Sequence, residues 1–148
     1  MQMRGTYRRP YIFVHLRQKH ITHLKSPKVP VLIDPGADKC YFNDQLAYTF
    51  GVNPADGRVT RKVAYMHKDD EAPTAVFPIT AEFPQLGLEI DIPDAEFTRL
   101  RKGWNGLLGH HGFLNLFESV TFIPQQRVDL VLPRPPTEDG IIRQTVYR

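Results

Sequence analysis

The chain is poor in the residues that most catalytic chemistries need. It holds one cysteine, Cys40, so no intrachain disulfide can form. An unbridged chain predicts a reducing, cytoplasmic setting. One thiol cannot build a cysteine-based metal centre, and no His–Asp pattern surrounds Cys40 that would activate it as a nucleophile. It reads as a packed or half-buried thiol. No apolar run approaches the ~20 residues that span a bilayer, and the N-terminus lacks the apolar core of a secretory signal; no membrane is expected. Glycine-rich phosphate loops and nucleophile elbows are missing as well.

Acid is missing from one end. Residues 1–28 carry Arg4, Arg8, Arg9, Arg17, Lys19, Lys25 and Lys28 without one Asp or Glu, so this segment is +7 in a chain of net charge +3. A basic arm can grip nucleic acid. Residues 11–16 already read as a strand, however, and Lys and Arg are the usual guards of an exposed strand edge. Interleaved surface aromatics of the kind that stack on bases are wanting. An edge strand is therefore expected here, and nucleic acid is disfavoured as a partner.

Long helices are scarce for a local reason: 13 prolines and 10 glycines break 148 residues every few positions. Between the breaks lie short apolar or alternating runs at residues 11–16, 29–33, 59–66, 75–83, 88–92, 105–108, 120–123 and 128–132. That spacing predicts an all-β barrel or sandwich. Only residues 44–50 and 112–117 look briefly helical. The polar break at 68–73 reads as a hairpin tip. The Pro-rich tail beyond residue 132 reads as an extended segment that adds a strand within 141–147. The expected division is a basic arm at 1–10, one folded domain at 11–132 and an extension at 133–148.

Histidines His15, His20, His23, His110 and His111 match no metal-ligand spacing, so no metal and no cofactor are expected. Trp104, the single tryptophan, reads as a core anchor or a contact between copies.

One acid stands apart. Val29, Pro30, Val31, Leu32 and Ile33 form a strand that runs straight into Asp34, followed by Pro35, Gly36, Ala37 and Asp38. An acid on the first residue of a tight turn, where a buried strand leaves the core, is held at a fixed angle in a partly desolvated spot. Gly36 allows either positive φ or a close approach of other backbone. A turn-forming Asp before Pro-Gly is the plainer alternative.

A second motif follows at a distance: Gly106, Leu107, Leu108, Gly109, His110, then Phe113, Leu114 and Phe117 ahead of a strand through Val120 and Phe122. The two together resemble the retropepsin-like aspartic proteases, in particular the small bacterial members. The resemblance spans about residues 11–132. It implies an all-β, closed acid-protease barrel with one or two short helices, mostly antiparallel, one lobe per chain. It implies that Asp34 is the catalytic acid, that Pro35, Gly36, Ala37 and Asp38 form the active-site loop, and that Leu107, Leu108, Gly109 and His110 support it.

Only one such acid motif occurs, so the implied enzyme is a homodimer that pairs Asp34 with its own counterpart and cleaves a peptide or protein substrate. Residues 61–77 would be the flap. The chain departs from the family at Pro35, where relatives carry Thr or Ser, and at the charged, glycine-free sequence Lys68, Asp69, Asp70, Glu71. Proline supplies neither hydroxyl nor N–H. The alternative implied by that departure is a catalytically silent relative that keeps the fold for peptide binding or dimerisation.

Overall fold

A computed structural model describes residues 10–56, 60–67, 70–124, 127–133 and 142–144. The chain runs β1 (Tyr11–Arg17), β2 (Val29–Ile33), β3 (Tyr41–Asn43), α1 (Asp44–Thr49), β4 (Thr60–His67), β5 (Asp70–Phe83), β6 (Leu88–Thr98), β7 (Gly106–Leu108), a 3-10 turn (Leu114–Leu116), β8 (Ser119–Ile123), β9 (Arg127–Val131) and β10 (Ile142–Gln144). Strands β6, β3, β7, β2, β1 and β5 pair in that order, and β5 pairs back onto β6 to close a six-stranded barrel. Closure leaves those six strands no free edge. β4 and β10 hang on β5 and β6, and β8 and β9 form a separate two-stranded sheet.

Period-two burial builds the interior. Ile12, Val14 and Leu16 of β1 point inward, as do Ile79, Ala81 and Phe83 of β5 and Leu88, Ile90 and Ile92 of β6. Phenylalanines fill one end: Phe97 stacks on Phe77 at 4.3 Å between ring centroids and meets Phe42 at 5.4 Å and Phe50 at 5.9 Å. Phe113 contacts Phe83 and Phe117 at the other. Helix α1 starts where Asn43 Oδ1 accepts from the Gln45 N–H at 3.1 Å and buries Leu46 and Ala47.

Several expectations change. β1 is an interior strand paired with both β2 and β5, where an exposed edge was expected. The basic residues at its end and beyond it are ion-paired: Arg17 is buried with its Nε 2.8 Å from Glu82 Oε2, Lys25 sits 2.8 Å from Glu82 Oε1, and Lys19 lies 3.8 Å from Asp91. Acids 57 or more residues away neutralise them, a pairing invisible to local charge counting. β6 runs six residues past the expected end at 92 because Pro93 and Asp94 stay in the strand.

The barrel is mostly antiparallel, as expected, with two parallel pairings, β2–β7 and β3–β6. Pairing of β4 with β5 continues to His67 opposite Asp70, so Asp70 to Pro73 belong to the strand, and residues 68–69 of the expected tip lie outside the described residues. The expected helix at 112–117 shortens to one 3-10 turn. The tail strand is present as β10, antiparallel to β6. Residues 1–9 of the basic arm lie outside the described residues. Among the described residues, no helix is long and apolar enough to cross a membrane.

Candidate active site

β2 ends in two buried side chains, Val31 and Ile33, and Asp34 is the first residue out of the barrel wall. The next strand in sequence, β3, is not its neighbour. β7 lies between them, parallel to β2 with Leu32 opposite Leu107, and antiparallel to β3 with Tyr41 opposite Leu107. Residues 34–40 must therefore arch over the end of β7. The Asp34 N–H donates to Leu108 O at 2.9 Å, the His110 N–H to Ala37 O at 3.0 Å and the His111 N–H to Asp38 O at 2.9 Å. This crossing brings the two sequence motifs, 70 residues apart, into one structure.

Two glycines make the crossing possible. A Cβ on Gly109 would collide with the carbonyl oxygens of Ala37 and Lys39 and lie 2.8 Å from the Ala37 carbonyl carbon. A Cβ on Gly36 would meet Asp34 Oδ1 at 3.1 Å. Positive φ occurs at Gly51, Gly87, Gly103 and Gly112, so the two site glycines are there for close approach and not for a left-handed turn.

Inside the loop, Ala37 N–H donates to Asp34 O at 3.1 Å, closing the turn. Gly36 N–H donates to Asp34 Oδ1 at 2.8 Å, which orients the half-buried carboxylate. Pro35 and Gly36 are exposed at the tip and Ala37 is buried. His110 lies outside the barrel with its Nε2 2.7 Å from Pro35 O. Leu107 and Leu108 are buried beneath.

Asp38 accepts a hydrogen bond of 2.5 Å from the Tyr41 hydroxyl, and that bond holds its carboxyl below the usual carboxylate range. Burial, and then the hydrogen bond it donates to Asp38, pushes the Tyr41 hydroxyl above its ordinary value. Burial pushes the Cys40 thiol up to about 12, against a backbone hydrogen bond from Gly109. A thiol so protonated is no nucleophile.

The histidines do not converge. His15 Nδ1 contacts Ser26 O at 2.9 Å, and His111 Nε2 sits 2.9 Å from Asp94 Oδ2. Among the described residues no three His, Cys, Asp or Glu side chains are grouped as metal ligands.

Sequence reading missed a groove. A cavity of about 230 Å³ opens beside β2, lined by Tyr11, Phe13, Pro30, Leu32, Trp104 and Asn105. Trp104 is half-buried in its wall, neither a core anchor nor fully exposed. Asn105 Nδ2 donates to Pro30 O at 3.2 Å and ties the wall to β2. The alternation of β1 and β2 held the signal: Tyr11, Phe13 and Leu32 occupy outward positions that would ordinarily be polar.

A crystal structure of a retropepsin-like aspartic protease from Rickettsia conorii superposes with a TM-score of 0.60 over 88% of this chain and 88% of that one. The fold is retropepsin-like. Sequence identity between the two is 13%, so the likeness is one of architecture. No family model and no curated protein matches the sequence.

Proposed function

We propose that the chain is an aspartic endopeptidase that acts as a homodimer, with Asp34 of each copy forming the catalytic pair. The observation that carries the reading is the way Asp34 is held: on a rim, at the mouth of a crossed-over loop, with one carboxylate oxygen fixed by the Gly36 N–H at 2.8 Å. An ordinary turn Asp needs no such clamp of three backbone hydrogen bonds between its loop and the segment 108–111.

In the dimer, two carboxylates within hydrogen-bonding distance cannot both ionise cheaply, so the pair shares one proton, as aspartic-protease dyads do. The ionised member takes a proton from a bound water and the protonated member donates to the scissile carbonyl. His110, Gly109 and the buried Leu107 and Leu108 hold the loop. The apolar groove beside Leu32 suits an apolar side chain of an extended peptide, and the β4–β5 hairpin would serve as the flap.

Pro35 favours a second reading, a silent scaffold that binds peptides. It has no hydroxyl and no N–H with which to cross-link two loops at a dimer axis. A peptide pool tested from pH 4 to 7, beside Asp34→Asn, separates the two. Cleavage that is lost in the variant and blocked by a statine-type inhibitor is expected. No cleavage from protein that sediments as a folded dimer would leave the scaffold, and a strict monomer at high concentration would remove the dyad.

A further inference from the structure

Pro35 brings neither a hydroxyl nor an N–H to the tip of the Asp34 loop, and its one polar group is its carbonyl oxygen. That oxygen lies 2.7 Å from His110 Nε2. A carbonyl only accepts, so Nε2 carries the proton and donates; the neutral Nε2–H tautomer and the imidazolium both can. The backbone N–H of the same residue donates to Ala37 O at 3.0 Å. His110 thus grips the loop on both sides of Gly36, the residue whose N–H orients Asp34 Oδ1 at 2.8 Å. We infer that His110 is a positioning residue for the Asp34 carboxylate: its ring supplies, within one chain, the loop anchor that Pro35 cannot.

This inference rests on the proposed role of Asp34. The His110–Pro35 bond is exposed to water, so it adds little to global stability. Its effect falls on the precision of the loop. A misplacement of about 1 Å at a reacting group costs up to about a hundredfold in rate. A bond that stiffens the tip without stabilising the barrel is therefore expected to act on kcat and to leave both KM and Tm nearly unchanged.

The test compares His110→Gln, whose amide nitrogen reaches the Nε2 position, with His110→Leu, which keeps bulk and loses the donor. Steady-state cleavage of a reporter peptide is read beside amide hydrogen exchange of Gly36 and Ala37. His110→Leu is expected to lower kcat by about tenfold to a hundredfold at similar KM. It should also speed exchange at Gly36 and Ala37 while the β1 amides keep their protection. His110→Gln should restore both. Equal damage in the two variants, or unchanged exchange in His110→Leu, would overturn the inference. If the wild-type chain cleaves nothing, the peptidase reading fails, and the exchange comparison still decides whether His110 anchors the loop.

Discussion

Gly109→Ala is the sharpest steric test of the crossed loop. The added methyl would overlap the carbonyls of Ala37 and Lys39, which are backbone and cannot rotate aside. The loop must lift. Forced overpacking of this kind costs about 1–3 kcal/mol. Lifting residues 37–39 also strains the bonds from the His110 N–H to Ala37 O and from the His111 N–H to Asp38 O, at about 1 kcal/mol each. The reduced freedom of the unfolded chain returns about 0.5–1 kcal/mol. The net is a loss of about 3 kcal/mol, and in a domain of this size each kcal/mol moves Tm by about 3 °C, so a fall of about 9 °C is expected.

Gly103→Ala is the matched control: its φ is +88° but nothing lies within 4 Å of an added Cβ. Backbone strain alone costs it about 1–2 kcal/mol before the same entropic return, or a fall of about 3 °C. Both are read by thermal unfolding at one pH. A Gly109→Ala protein within 3 °C of wild type, or a Gly103→Ala protein that falls further, would refute the close-approach explanation of Gly109.

Arg17 and Cys40 give two further tests. Arg17→Met leaves Glu82, whose side chain is 15% exposed, with Lys25 as its remaining ion-pair partner, and is expected to cost about 3 kcal/mol in urea unfolding, the low end for breaking a buried pair. Burial alone would raise the Glu82 pKa, but Lys25 and Arg17 together hold it below its ordinary 4.5. The resulting stability is present above that value and lost as pH falls through the lower folded one. In Arg17→Met the loss of stability on acidification should be shallower, and an unchanged slope would count against the pair. Cys40, 1% exposed with its thiol raised to about 12, should resist iodoacetamide at pH 8 in the folded protein and react fully in denaturant. Rapid native-state labelling would show that the loop above it opens.

Strand positions were legible because burial with period two and turn chemistry are properties of adjacent residues. β2 was read to the residue, and the Asn43 cap sits at the expected start of α1. β3 escaped because three residues between turns carry no period. Charge misled for a related reason: the basic run through Arg17 and Lys25 looked exposed until β5 and β6 brought Glu82, Glu89 and Asp91 against it. Trp104 has the sequence surroundings of a core residue, and only the closure of β1 and β2 beside it makes a groove wall.

By itself the sequence determined most of the barrel's strands, the acid at the end of β2 and, as a separate motif, the later Leu-Leu-Gly. Each is a pattern within a dozen residues, where pleat geometry and turn preference act directly. Only the tertiary structure decided that β7 runs between β2 and β3, why Gly109 must be glycine, and that His110 reaches Pro35. Those facts depend on the register of strands about 70 residues apart. That register is selected when the whole core closes and the loop entropy of bringing distant segments together has been overcome, and no local pattern records it.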